Sequence, residues 1–133
     1  MSDAEVLATN QKFYAAFAER DREAMQALWA TSCPVVCIHP GWPPIRGRKE
    51  ILASWGRIFE DQSAPRIRCE APTVAVIGDS ATVVCRERLG NAVLVATNVF
   101  VREDDRWCLA HHHASALARI PETPPLDPDL LPN

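Results

Sequence analysis

The sequence predicts an α+β domain in which helices come first and an antiparallel sheet follows. Up to Asp61 the apolar residues recur about every 3.6 positions, the period of an amphipathic helix. Beyond Pro65 the period changes to two, and Val, Ile, Thr and Cys become frequent, as in strands. Because helices and strands are grouped rather than alternating, the helices should cover one face of the sheet. A chain of 133 residues suits a single domain.

Three helices are predicted. The first spans residues 3–19, the second is capped by Asp21 and ends at Cys33, and the third runs from Gly47 to about Asp61. Each carries apolar residues at helical spacing, which predicts one buried face. These buried faces comprise Val6, Leu7, Phe13, Tyr14 and Phe17, then Met25, Leu28 and Trp29, then Ile51, Leu52, Trp55, Ile58 and Phe59.

A short strand near residues 34–39 and a loop at 40–44 separate the second and third helices. Three prolines in this loop prevent regular hydrogen bonding and favour extended backbone. Later in the chain, turn-forming pairs separate four strands, which predicts a meander. The strands are 66–77, 80–89, 92–102 and 106–116, and the pairs are Gly78-Asp79, Gly90-Asn91 and Asp104-Asp105.

The central hairpin has one mixed face and one valine-rich face. A two-residue turn at Gly90-Asn91 would place Val83, Cys85, Glu87, Leu94, Ala96, Asn98 and Phe100 on the first face, and Thr82, Val84, Arg86, Val93, Val95, Thr97, Val99 and Val101 on the second. The helices can cover only one face. The valine-rich face is therefore expected to meet a second copy, which predicts a homodimer through the sheet.

Composition excludes several classes of function. Fourteen basic against seventeen acidic residues leave no excess charge for a nucleic-acid backbone. The apolar stretches are shorter than the ~20 residues of a membrane span, and no leader pattern opens the chain, so a cytoplasmic protein is expected. Five cysteines suit reduced thiols. No nucleotide, serine-hydrolase or zincin motif occurs, so no cofactor is predicted. Residues 121–133, with five of the eleven prolines, are expected to form an extended tail beyond a domain of residues 1–120.

Two polar residues interrupt the mixed face of the hairpin. Burial of Glu87 among apolar neighbours would raise its pKa and suit it to act as a general acid or base. Its alternative is a strand-end carboxylate held by Arg86 or Arg88. Asn98 stands in an apolar run, where its amide could bind a ligand oxygen or instead bond to backbone within the core.

Four histidines are further candidates. On a strand, His111 and His113 point one way and His112 the other. A three-residue bulged turn around Asp104 would bring His112 to the side of Glu87, whereas a two-residue turn would bring the other two there. His39 ends the first short strand and could either assist Glu87 or bond to the proline loop. Two histidines and a carboxylate could bind zinc, but no third ligand has matching spacing, so no metal is predicted.

Aromatic residues could line a cavity for a small aromatic or alicyclic ligand, or else pack as ordinary core. The candidates for ligand binding are Tyr14, Trp42, Trp55 and Phe100, together with Asn98.

Several segments together resemble the nuclear transport factor 2-like superfamily of cone-shaped domains, in particular its SnoaL-like branch. They are NQKFYAAFAERDREAMQALWA, CIHPG, GRKEILASW and ATNVFVREDDRWCLAHHHAS, and the resemblance covers about residues 4–117. The last strand is also similar to the WxxxHxHxS strand of the association domain of calcium/calmodulin-dependent protein kinase II, with Trp107, His111, His113 and Ser115 in the matching places.

The resemblance implies a cone of helices and curved sheet around a cavity. Arginines that line the association domain's cavity match Glu87, Asn98 and Ala114 here, so a similar carboxylate-binding pocket is not implied. The match also implies a bulged turn with His112 inside, and Trp107 facing a dimer partner with the remaining two histidines.

The family implies a fold more firmly than a reaction, since its members include isomerases, cyclases, dehydratases, epoxide hydrolases and binding modules. The predicted function is a small-molecule cavity protein of the isomerase, cyclase or dehydratase kind. Glu87 would be the acid or base, and His39 or His112 its partner. The alternative is a non-catalytic, dimeric association module that binds through its sheet face or tail.

Overall fold

The structure, a computed structural model, describes residues 2–64 and 66–117. It contains helices α1 (Asp3–Glu19), α2 (Arg22–Leu28) and α3 (Arg48–Glu60), and strands β1 (Val36–Ile38), β2 (Ile45–Arg46), β3 (Arg68–Ile77), β4 (Ser80–Leu89), β5 (Ala92–Glu103) and β6 (Arg106–Ala116). The predicted α+β class, with helices on a curved sheet, is confirmed. The predicted tail at 121–133 lies outside the described residues.

Local chemistry explains where the helices begin and end. The Ser2 side chain accepts a hydrogen bond from the first turn of α1, and Asp21 caps α2 in the same way. The second helix is shorter than predicted, because it ends at Leu28 and not at Cys33. Trp29 is already extended and forms a bridge with Leu109 of β6, so pairing with the sheet replaces the last predicted turns.

The six strands form one sheet in the order β2-β1-β6-β5-β4-β3. Only the β1–β6 pair is parallel within the described chain. At each of the three predicted turns, the last two residues paired across the hairpin are separated by two residues in sequence. Gly78 and Gly90 have the positive φ that such two-residue turns need. The sequence pattern does not predict β2, because a strand of two residues has no measurable period.

A bulge in β6, and not its turn, decides which histidine faces inward. The turn at Asp104-Asp105 has two residues, which was expected to bring His111 and His113 inside. However, Val99 pairs with His111 while Phe100 pairs with Leu109, so Ala110 is an extra residue in the strand. The predicted bulged turn is therefore wrong, although its consequence holds, because His112 pairs with Asn98 on the inner face.

The same bulge corrects the expectation for Trp107. Before the extra residue, Trp107 shares the face of Phe100 and Leu109, and its side chain is 4% exposed. It belongs to the core under the helices and does not face outward.

The helices cover one side of the sheet, here called the inner face. The core between them includes Phe13, Trp29, Trp55 and Phe100, none more than 1% exposed. The opposite side, the outer face, carries the valines of the central hairpin other than Val83. The five cysteines are not joined by disulfides. In residues 2–64 and 66–117, no helix is both long and apolar enough to cross a bilayer.

Candidate functional site

A cavity of about 200 Å³ lies between the helices and the inner face of the sheet. Its apolar wall is contributed by α1, α3, the loop after β1 and the ends of β4 and β5. The residues that line it are Phe17, His39, Pro40, Trp42, Trp55, Ile58, Ala64, Ile67, Glu87, Leu89, Leu94 and His112. Trp42 is 42% exposed and marks the mouth, whereas Glu87 and His112 are buried at the bottom.

Glu87 is a carboxyl group held in an apolar surrounding. Burial raises its pKa to about 7, although the hydrogen bond from Tyr14 acts in the opposite direction. The Tyr14 hydroxyl donates to Oε2 at 2.6 Å. Oε1 has no hydrogen-bond partner in the described part of the chain. Near neutral pH, Glu87 can therefore either release or accept a proton.

Asn98 fixes the protonation state of His112. Its Nδ2 donates to Asn10 Oδ1 at 2.9 Å and to the Tyr14 hydroxyl oxygen at 3.2 Å. These two contacts orient the amide with its NH2 group away from His112, so Oδ1, which can only accept, faces the imidazole. It lies 2.6 Å from Nδ1 of His112, which must carry the hydrogen. Nε2 of His112 is consequently an unprotonated acceptor.

Burial also keeps His112 neutral. It lowers the pKa of the imidazole to about 3, with a smaller contribution from the nearby His39. The rings of Phe13 and Trp55 pack beside it at centroid distances of 5.0 and 5.9 Å.

Glu87 and His112 face each other across a gap. Nε2 of His112 lies 4.0 Å from Oε2 of Glu87, which is too far for a direct hydrogen bond. One oxygen atom about 2.8 Å from each would span the gap, since that is an ordinary hydrogen-bond length. The pair can therefore handle a proton on a ligand oxygen, or on a carbon next to it.

His39 offers a second unprotonated nitrogen. The Ser54 hydroxyl donates to the Ile51 carbonyl at 2.6 Å, so its oxygen accepts from Nε2 of His39 at 2.9 Å. Nδ1 is then the bare nitrogen. Burial lowers the pKa of His39 to about 4. Its ring lies edge-on to Trp42 and Trp55, with centroids 4.9 and 4.7 Å away.

The structure brings most predicted site residues together. Five of them line the cavity, namely His39, Trp42, Trp55, Glu87 and His112. Tyr14 and Asn98 lie behind these and position them.

Three expectations for these residues change. Phe100 is fully buried and is not among the residues that line the cavity. Among the described residues Glu87 pairs with neither Arg86 nor Arg88: its hydrogen bond comes from Tyr14, and Arg88 binds Glu70 at 2.6 Å. His39 bonds to Ser54 and not to the backbone of the proline loop.

Sequence reasoning missed Asn10 and Ser54. Both are buried and each bonds a predicted site residue. Asn10 lies on the buried side of α1, where an isolated polar residue is an available signal. Ser54 precedes Trp55 in the sequence and gives no such signal. Among the described residues, no three His, Cys, Asp or Glu side chains are grouped to hold a metal ion.

Solved structures share this fold. A proposed dehydratase of the NTF2-like (nuclear transport factor 2-like) family from Streptomyces avermitilis is 35% identical, with a TM-score of 0.81 over 87% of this chain and 96% of that one. A proposed calcium/calmodulin-dependent protein kinase type II association domain from Thiobacillus denitrificans is 33% identical, with a TM-score of 0.74 over 83% of this chain and 93% of that one.

One curated relative is a plant protein. The F-box protein SKIP8 of Arabidopsis thaliana is 29% identical over 115 residues, which are 84% of this chain. The chain spans about half (49%) of the length of that relative. The SnoaL-like domain matches residues 6–119, and the chain therefore belongs to the SnoaL-like domain family.

Proposed function

We propose that the protein is an acid–base enzyme of the isomerase, cyclase or dehydratase kind that acts on a small ligand in the cavity. The observation that carries the proposal is the pair formed by Glu87 and His112 at the bottom of an apolar pocket. One member exchanges its proton near neutral pH, and the other presents a bare nitrogen 4.0 Å away.

Each residue has a separate task in this proposal. In an isomerisation, the Glu87 carboxylate removes a proton from a ligand carbon and returns it to another atom, so no net proton is consumed. In a dehydration, His112 takes the carbon-bound proton while protonated Glu87 gives its proton to the departing hydroxyl, and water leaves. The proton on His112 then passes to Glu87 and restores the starting state. Tyr14 holds Glu87 in place through its 2.6 Å hydrogen bond.

The cavity limits the size of the ligand. An apolar cavity of roughly 150 Å³ accommodates benzene, and pockets for drug-sized ligands are roughly 300–1,000 Å³. A volume of about 200 Å³ therefore suits a single ring or a chain of similar size.

Proton transfer can be tested before the natural substrate is known. The probe is 2-hydroxycyclohexanone in D2O, with exchange of the hydrogens next to the carbonyl followed by proton NMR. We expect the protein to accelerate the exchange over buffer. Glu87→Gln should reduce that acceleration by roughly 100-fold or more, the usual size of an acid–base contribution.

The matched control is Glu19→Gln, at an exposed glutamate of α1. It should exchange the probe as the wild type does. A folded Glu87→Gln protein that retains the wild-type rate would contradict the proposal, as would no acceleration by the wild type.

A second candidate is an association module that dimerises through the outer face. Val84 and Ile77 are 43% and 68% exposed there, and Val95, Val99 and Val101 are half-buried. The likeness to an association domain supports the same candidate. The proposed occupant of the face is a second copy of the chain, because an apolar, two-sided sheet needs an apolar partner.

Light scattering tests this candidate. A mass of two chains at micromolar concentration that falls to one chain in Val84→Lys would support it. Lys12→Ala on the exposed side of α1 serves as the control. A wild-type mass of one chain at that concentration would exclude a stable dimer.

A further inference from the structure

The cavity is lined by polar atoms that the described part of the chain leaves without hydrogen bonds. Three of them are Oε1 of Glu87, Nε2 of His112 and Nδ1 of His39, whose other polar atoms are engaged by Tyr14, Asn98 and Ser54. The indole N–H of Trp55, a donor, also has no partner among the described residues. All four residues are at most 3% exposed. Buried polar groups are normally paired, so these atoms indicate what a ligand must supply.

Both histidine nitrogens must be acceptors. The amide of Asn98 donates both hydrogens to Asn10 and Tyr14 and accepts through Oδ1 from His112, so the imidazole hydrogen is on Nδ1. The Ser54 hydroxyl donates to the carbonyl of Ile51 and accepts from His39, so the imidazole hydrogen of His39 is on Nε2. The remaining nitrogens carry lone pairs that accept no hydrogen bond within the described chain. A matching ligand therefore brings two hydrogen-bond donors.

The carboxyl group of Glu87 requires a different complement. When it is protonated on Oε2, the carboxyl of Glu87 is a donor. A ligand oxygen that spans the 4.0 Å gap between Oε2 and Nε2 of His112 can accept that hydrogen while donating its own. A hydroxyl group is able to do both. An ether or carbonyl oxygen can only accept, and it would leave Nε2 of His112 unpaired.

The charge of the wall excludes anions. Among the described residues that line the cavity none is a lysine or arginine, and Glu87 is the one carboxyl group. A buried carboxylate without a cation is strongly disfavoured.

We infer that the site takes an uncharged, single-ring ligand with two hydroxyl groups, one between Glu87 and His112 and the other donating to His39. This inference rests on the cavity and the acid–base pair of the proposed function, and it adds the chemical class of the ligand. The first hydroxyl is then the group on which the acid–base pair acts.

The test compares near-isosteric probes on the wild-type protein. Dissociation constants are measured by calorimetry at pH 6 for the three benzenediols, the corresponding cresols and the hydroxybenzoates. A cresol replaces one hydroxyl by a methyl group of similar size, so it leaves one nitrogen unpaired. We expect at least one benzenediol to bind at least roughly fivefold more tightly than its cresol, and the hydroxybenzoates to bind more weakly than either.

Two variants then assign the hydroxyls to the nitrogens. His39→Phe and His112→Phe should each bring benzenediol and cresol affinities to within about twofold of each other. The control is His113→Phe, because this neighbouring histidine is exposed on the outer face. It should keep the wild-type preference.

The outcomes separate this inference from the proposed function. If cresols bind as tightly as benzenediols, the donor requirement is wrong while the cavity stands. If hydroxybenzoates bind best, the uncharged class is wrong. If no ring compound binds, the inference fails together with the cavity. The NMR exchange experiment reports separately on Glu87 as the proton carrier.

Discussion

Replacing Glu87 with glutamine should remove a large pH-dependent part of the free energy of unfolding. The pKa of Glu87 is about 7 in the folded protein against 4.5 for an ordinary glutamate, because the carboxyl is buried. Each pKa unit corresponds to about 1.4 kcal/mol, so the difference amounts to roughly 3 kcal/mol.

The sign follows from which state holds the proton. Below pH 4.5 both states are protonated at Glu87. Between pH 4.5 and 7 the unfolded chain loses this proton while the folded protein keeps it, so stability falls as the pH rises. The wild type should therefore lose roughly 3 kcal/mol relative to Glu87→Gln across this window, and nothing further well above pH 7.

The buried histidines make the comparison with the variant necessary. The pKa values of His39 and His112 are lowered from 6.5 to about 4 and 3, so each destabilises the folded protein as the pH falls below 6.5. Their effect opposes that of Glu87 in overlapping pH ranges. The difference between the wild type and Glu87→Gln removes the shared histidine contribution.

Urea unfolding followed by tryptophan fluorescence, from pH 4 to 8.5, measures this difference. Glu19→Gln provides the correction for the loss of one carboxyl group at an exposed position. A wild-type minus Glu87→Gln difference that is constant within about 0.5 kcal/mol would show that the folded protein does not hold the proton on Glu87.

Three other substitutions have defined outcomes. Tyr14→Phe removes a hydrogen bond that lowers the pKa of Glu87. An NMR titration should therefore find a higher pKa for Glu87 than in the wild type, and an unchanged pKa would refute the role of the hydroxyl. Asn98→Leu leaves Nδ1–H of His112 without an acceptor and should lower the free energy of unfolding in urea by about 2 kcal/mol or more. An unchanged free energy of unfolding would show that the hydrogen bond from His112 to Asn98 does not hold the imidazole ring. Glu103→Gln should lower the thermal midpoint at pH 7 by more than at pH 2. The reason is that hydrogen bonds from Thr31 and Ser32, in the chain after α2, lower the pKa of this carboxyl to about 2, so the folded protein loses the charge only near that pH. An equal effect at both pH values would contradict that cause.

Much of the fold could be predicted because local periodicity and turn chemistry agree. The helical spacing of apolar residues and the two-residue turns at Gly78 and Gly90 are properties of short segments. The end of α2 could not be found in this way, because Trp29 leaves the helix to pair with Leu109, eighty positions later. Similarly, β2 exists only because β1 lies beside it.

Alternation along strands located part of the site. It places Glu87 and Asn98 on one face once the Gly90-Asn91 turn is counted. It also places Phe100 there, but alternation gives the face of a strand and not the depth at which the helices cover it. The partners of the network, such as Asn10 and Ser54, lie in helices whose packing on the sheet is not encoded locally.

The extra residue Ala110 reverses which positions of β6 face inward. Odd-numbered positions face the helices in the first half, where Trp107 and Leu109 pack, and even-numbered positions do so in the second half, where His112 lies. With the two-residue turn at Asp104-Asp105, this bulge brings His112 and not its two neighbours to the cavity. Deletion of Ala110 would remove the bulge but leave Phe100 paired with Leu109, Val99 with His111 and Asn98 with His112, so His112 would stay inside. The bulge thus absorbs one residue of strand length, and a relative with a regular last strand one residue shorter could present the same imidazole to its cavity.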